Sequence, residues 1–244
     1  MGHRQWHGAV QRENRQRLPA RRTPAIKDVL GTAETREELQ GRRKHIAQLI
    51  FYDNEHLYEA DGERCDSVSE ILRFLSREEY DDINQYKLDN AAERGTAVHK
   101  ACEALYKYGN IECTTDVEPY VRAFLKFLHE HKCDFTDIEK PLADANAKIA
   151  GTPDLCGQVD EEEAIVDMKA QSAVKKTLVK AQLNAYRHLR MVNGKPEPQK
   201  LYCLQLMNDG NYRLYPVAID DSEFQACLTL HMATKKKHSK GRID

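Results

Sequence analysis

Apolar positions recur along this chain at two spacings, and the switch between them divides its body. From Ala91 to Lys107, Val98, Cys102 and Leu105 return at helical intervals, which predicts a helix with a buried stripe. From Glu118 to His131, Val121, Phe124, Leu125 and Leu128 predict a second amphipathic helix. The period then shortens. Ile138 to Leu142 and Ala147 to Gln158 read as strands, and the acidic turn Asp160-Glu161-Glu162-Glu163 leads into a short strand from Ala164 to Ala170. A helix over Ala173–Val192 is ended by Asn193-Gly194 and Pro196. Lys200–Met207 and Tyr212–Ile219 are strands around Asn208-Asp209-Gly210, and a closing helix covers roughly Ser222 to Lys235.

Upstream, His56–Ala60 and Glu63–Cys65 flank Asp61-Gly62, the signature of a small hairpin. Ser67, followed three residues later by Glu70, forms a capping box that opens a helix through Ile71, Leu72 and Leu75. A short helix is predicted over Glu37–Leu49, and residues 1 to about 24 are polar, Arg-rich and expected to be disordered. The order of helices, three strands, a helix, two strands and a helix predicts an α/β fold with a mixed central sheet flanked by helices. We expect one domain over 25–237, its core about 91–219, with a basic tail at 238–244.

Hydrophobic residues make up 41% and charged residues 31%, as in a globular protein with a heavily charged surface. No apolar run is long enough to span a bilayer, and the first residues lack the apolar core of a secretory signal. Trp6 stands where a myristoylation signal after Met1-Gly2 wants Ser or Thr. The cytoplasm is the expected compartment. Seven cysteines, Cys65, Cys102, Cys113, Cys133, Cys156, Cys203 and Cys227, are scattered without a CxxC pair, which argues against a disulfide framework and a zinc site. The net charge of -2 hides an asymmetry: residues 1–22 hold six arginines and one acid, Glu13, while Lys235, Lys236, Lys237, Lys240 and Arg242 crowd the other end. Basic ends suit a polyanionic partner as well as they suit solubilising tails, so charge alone decides nothing.

The chemistry concentrates in Gly151-Thr152-Pro153-Asp154 and, after twelve intervening residues, Asp167-Met168-Lys169. Alternation along a strand puts Ile165, Asp167 and Lys169 on one face, and the preceding hairpin arm can bring Asp154 beside them. Converging carboxylates make a hard-oxygen site suited to magnesium or manganese. A neighbouring lysine can orient the attacking water; acting as a base from an ordinary pKa of about 10.4 needs burial or the metal to help. A plain salt bridge at a strand edge is the alternative. Against it stands the apolar setting of Asp167, where an unpaired charge is costly. Arg94-Gly95-Thr96-Ala97-Val98-His99 continues to Glu103; His99 and Glu103 lie four apart on one helical face and are possible metal ligands. Gln182 and Tyr186, again four apart, follow on the next helix and could reach a phosphate or hold Lys169.

In this order, Gly95-x-x-x-His99, Gly151-Thr152-Pro153-Asp154, Asp167-x-Lys169 and Gln182-x-x-x-Tyr186 resemble the PD-(D/E)XK nuclease superfamily, in its RecB-like and phage-exonuclease branch. The resemblance spans roughly residues 50 to 219 and implies a restriction-endonuclease-like core. It implies that Asp154, Asp167 and the Met168 carbonyl hold a Mg2+ or Mn2+ ion, with His99 as an extra ligand and Glu103 and Glu139 as supporting acids. Lys169 would be the catalytic lysine, and Gln182 with Tyr186 would support the site and contact DNA. Some members carry an iron–sulfur cluster on cysteines grouped near the C-terminus; only Cys203 and Cys227 follow Lys169 here, so none is expected. The implied activity is metal-dependent DNA hydrolysis, as an exonuclease of phage-type recombination or repair. An endonuclease, or an inactive nucleic-acid-binding member, stays open. A single-strand annealing protein is the implied partner, the bacterial host cytoplasm the implied setting for a phage-encoded chain, and oligomeric state is unspecified.

Overall fold

The computed structural model describes residues 48–53, 55–80, 85–109 and 111–240. The Arg-rich start, most of the helix expected over Glu37–Leu49 and residues 241–244 lie outside them; Leu49 itself opens a strand.

Among the described residues, ten strands form two five-stranded mixed sheets. The first joins β1 (Leu49–Tyr52), β2 (Leu57–Ala60), β3 (Glu63–Ser67), β5 (Leu142–Asp144) and β6 (Ile149–Gly151) in the order β1-β2-β3-β6-β5. Only β3 and β6 run parallel in it. The second joins β4 (Cys133–Ile138), β7 (Leu155–Val159), β8 (Glu162–Lys169), β9 (Lys200–Leu206) and β10 (Tyr212–Val217) in the order β10-β9-β8-β7-β4, with β8 and β9 parallel. The helices are α1 (Val68–Ile71), α2 (Arg73–Tyr80), α3 (Gln85–Tyr108), α4 (Glu118–Glu130), α5 (Lys176–Val192) and α6 (Ser222–Lys240). This is an α/β architecture of mixed sheets flanked by helices, consistent with a restriction-endonuclease-like core.

Two sequence expectations need correcting. The strand expected over Ala147–Gln158 is two strands, β6 and β7, in different sheets. Pro153, which has no N–H for a ladder, interrupts it, and the chain crosses from one sheet to the other through Thr152-Pro153-Asp154. The strand expected over Ile138–Leu142 is the opposite crossing, from the end of β4 to the start of β5. Glu139 there takes a left-handed backbone, φ 47°, and Pro141 follows. Five strands, not three, therefore lie between α4 and α5, and the one central sheet becomes two.

Local signals upstream hold. Asp61 and Gly62 both have positive φ, 54° and 79°, the geometry a two-residue hairpin asks for. The Ser67 hydroxyl accepts from the Glu70 amide, and the Glu70 carboxylate accepts from the Ser67 amide, completing the capping box. The helix it opens is broken at Leu72 into α1 and α2.

On β8, Ala164, Val166 and Met168 bury against Val98, Cys102 and Leu105 of α3 and Phe124 and Phe127 of α4. Each such large side chain contributes about 1.5–3 kcal/mol by leaving water. On α4 the buried stripe is Tyr120, Val121, Ala123, Phe124 and Phe127; Leu125 and Leu128 are only half-buried. The alternate face of β8, with Ile165, Asp167 and Lys169, is served by α5. That helix is bonded to both sheets. Its buried Arg190 donates to Asp137 on β4 at 3.2 Å, while His188 pairs with Asp144 on β5 at 2.8 Å. Lys235, at the end of the expected closing helix and counted among the charges of the basic end, lies on α6 with its ammonium 2.6 Å from the buried Asp66 carboxylate of β3, beside His231 at 3.1 Å. All seven cysteines are free thiols, four of them buried. Among the described residues no helix is long and apolar enough to cross a membrane.

Candidate active site

Strand register assembles the centre. Leu155 pairs with Val166, so Asp154, one residue before β7, stands opposite Asp167 on β8. The Asp154 carboxylate accepts from the Met168 amide at 2.6 Å, and its backbone carbonyl accepts from the Glu139 amide at 2.8 Å. The two sheet crossings are thus tied together at the residues that carry the acids.

His99 enters from α3. Its Nε2–H donates to the Met168 carbonyl at 3.0 Å, which leaves Nδ1 facing Glu139 Oε1 at 3.3 Å and Asp154 Oδ1 at 3.6 Å. One ligand atom from each of His99, Glu139 and Asp154 lies within 4.8 Å of the others. A ring lone pair facing two carboxylates calls for a cation or a proton between them. Burial opposes charging of the imidazole, but Asp154 and Glu139 prevail and lift it to about 9.

The other face holds a buried ion pair. Lys169 Nζ lies 3.0 Å from Asp167 Oδ1 and 2.8 Å from Oδ2, with Asp167 only 1% exposed. Oδ2 is buried and, apart from this ion pair, has no hydrogen-bond donor. Burial pushes the Asp167 carboxyl up to about 6 despite the neighbouring charge, and it raises Asp154 as well. For Lys169 burial pulls downward, yet Asp167 and Asp154 outweigh it and hold the ammonium above its ordinary range. That direction favours the charged, donating form of Lys169. It also donates to Gln182 Oε1 at 3.2 Å, and Gln182 Nε2 in turn donates to the Tyr186 hydroxyl at 3.1 Å.

Asp154, Asp167, Lys169, Gln182 and Tyr186 are thus joined by direct contacts or adjacent register, with His99 on the same carboxylate. The Met168 carbonyl faces His99. Glu103 lines the same cavity but is ion-paired to Lys107, one turn along α3, and stands outside the His99 cluster. Glu139, named only as a supporting acid, is a full member of the cluster. Its signal was weak because it follows a strand end whose crossing the alternation concealed. The cavity over the cluster, about 610 Å3, is also lined by Phe51, His56 and Tyr58 of the first hairpin, which sequence reasoning did not connect to the site.

The donor set fits a hard divalent cation: carboxylate oxygens, one imidazole nitrogen, and an orphaned buried oxygen on Asp167. His99, Glu139 and Asp154, with Asp167 beside them, are the residues that would hold it.

No family model matches the chain, and no curated protein matches it. Solved structures with a likeness include SSO0001, 15% identical over 70% of this chain and 76% of that one, with a TM-score of 0.41. An alkaline exonuclease from Laribacter hongkongensis is 14% identical over 72% of this chain and 94% of its own, with a TM-score of 0.36. The same exonuclease in complex with dAMP is 16% identical over the same shares, with a TM-score of 0.33. Overlaps this loose carry no weight for function, which rests on the site alone.

Proposed function

We propose that this chain is a Mg2+- or Mn2+-dependent deoxyribonuclease that hydrolyses phosphodiester bonds. The observation that carries the reading is the meeting of the His99–Glu139–Asp154 cluster with the buried Asp167–Lys169 pair at the crossing between two sheets. His99, Glu139 and Asp154 would hold the cation, which when bound would supply Lewis-acid polarisation of a phosphoryl oxygen and offset developing negative charge. Lys169, kept charged and aimed by Asp167 and Gln182, donates to the attacking water or to a non-bridging oxygen. Tyr186 holds Gln182, and so fixes the lysine at one remove. The basic ends of the chain hold the strand electrostatically.

Digestion from an end is the mode we assign, in phage-type recombination or repair beside a single-strand annealing protein, on the motif resemblance. The test is an assay of the full chain with Mg2+ or Mn2+ on end-labelled linear DNA and a covalently closed circle. The expected result is loss of the linear form, an untouched circle, and no cleavage by Asp167→Asn. Cutting of the circle converts the assignment to an endonuclease. A variant that cuts at the wild-type rate removes the assignment of the active site to Asp167, and a wild type that cuts neither form removes the nuclease reading.

A further inference from the structure

The first hairpin brings a cluster of rings to the cavity. β1 and β2 place Phe51 opposite Tyr58, and the two rings stack with centroids 4.6 Å apart and planes at 26°. His56, exposed at the end of the hairpin loop, packs edge-on against both, at 5.5 and 5.6 Å. Cross-strand pairing accounts for the stacked pair. It does not account for His56, whose backbone is left-handed at φ 49°, a conformation costly for a residue with a β-carbon. The His56 amide donates to the Asp53 carbonyl at 3.2 Å, which closes the loop between the two strands.

This cluster is fastened to the catalytic crossing. The hydroxyls of Tyr58 and Thr152 are 2.9 Å apart, and Thr152 lies two residues before Asp154. Phe51, His56 and Tyr58 line the same cavity as His99, Glu139 and Asp154. Tyr58 is buried, whereas Phe51 is half-buried and His56 exposed. To that cavity the hairpin contributes three rings and one acid, Asp53, a lining suited to a flat, uncharged ring rather than to a phosphate.

We propose that Phe51 and His56 form a stacking platform for the nucleobase beside the scissile phosphate, so that the preferred substrate presents an unpaired nucleotide there. The inference rests on the nuclease reading and adds its substrate class: single-stranded DNA or a frayed duplex end. A base inside a duplex has both faces covered and reaches a cavity wall only after leaving the stack, at least cost when it is already unpaired. Stacking on aromatic side chains tolerates any base and is worth roughly ten- to a hundredfold in affinity for each base held.

The test compares wild type, Phe51→Ala, Phe51→Leu and His56→Ala on blunt duplex, duplex with unpaired ends, and single strands, each with and without an abasic site beside the cut. Phe51→Leu keeps apolar packing on Tyr58 while removing the aromatic face. Wild type is expected to cut unpaired ends and single strands roughly tenfold faster than blunt duplex, and to lose that advantage on abasic DNA. Phe51→Leu is expected to lose it on every substrate, with no further loss on abasic DNA. In parallel, metal-free protein is titrated with a 2-aminopurine oligonucleotide, whose fluorescence wild type quenches and Phe51→Leu does not. If wild type cuts intact and abasic DNA alike, the platform is wrong while the nuclease stands. If it cuts nothing, the nuclease reading falls, and the quenching still decides whether the rings hold a base.

Discussion

Gly151 and Tyr186 approach so closely that a β-carbon on the first would come within 2.9 Å of the second's ring, and within 3.0 Å of Val68. The glycine opening the Gly-Thr-Pro-Asp stretch is needed for packing. Its missing side chain is the space in which the ring that braces Gln182 is seated.

Gly151→Ala is accordingly expected to shift the Tyr186 ring and loosen the Gln182–Lys169 contact. Overpacking of this kind costs about 1–3 kcal/mol. Turnover is expected to fall by roughly a hundredfold, since displacements of about 1 Å have that effect on positioned groups. Cleavage rates set beside a urea melt of the same variant check both.

Lys169→Met leaves Asp167 buried without its counter-ion. Breaking a buried pair from one side costs about 3–5 kcal/mol, whereas replacing both charges is close to neutral. The double variant Lys169→Met with Asp167→Asn is expected to be more stable than Lys169→Met alone, and both are expected to be inactive. A double-mutant cycle of unfolding free energies at pH 8 measures the coupling; additive values would show that the pair is not closed in solution.

Removal of divalent cations with EDTA is expected to abolish cleavage, and Mn2+ to restore it. Because the cluster exists only in the folded chain, saturating Mn2+ stabilises it, by about 2.7 kcal/mol at a hundredfold excess over Kd. His99→Ala and Glu139→Gln are expected to lose most of that gain. Thermal melts across a Mn2+ titration read this without any need for activity.

Acid is expected to destabilise the fold through Asp66, Asp137 and Asp144. Burial alone would raise these carboxyls. Lys235 with His231, Lys195 with Lys140, and His188 respectively outweigh it and hold each below the ordinary 3.8. With the folded value below the unfolded one, the stabilisation is present above the unfolded pKa and is lost as pH falls through the folded one. Tm should therefore drop from about pH 5 downward. Asp144→Asn should lower Tm at neutral pH while flattening that acid slope.

Legibility in the sequence followed the range of the physics. The capping box at Ser67 and Glu70 and the turn at Asp61-Gly62 are local, and both stand as read. The face shared by Asp167 and Lys169 came from strand alternation, and His99 from helical spacing. What stayed hidden depended on contacts between distant segments. Pro141 and Pro153 mark breaks in extended chain, but nothing local says that the strands on either side of each break join different sheets. Glu139 therefore reads as one more strand residue, although its amide bonds to Asp154 fifteen residues away. Phe51 and His56 were hidden for the same reason: a hairpin ninety residues upstream meets the site through sheet pairing and the Tyr58–Thr152 contact, both long-range.

Asp154 stands on the stretch of chain that leaves one layer of strands for the other, and α5 grips both layers through His188 and Arg190. Sideways slip of the layers would therefore drag the acid out of alignment with Lys169 while every strand remained intact. Resistance to shear, and not to unfolding alone, is the mechanical property this arrangement asks for, and weakening either grip of α5 is expected to slow turnover as well as to lower the melting temperature.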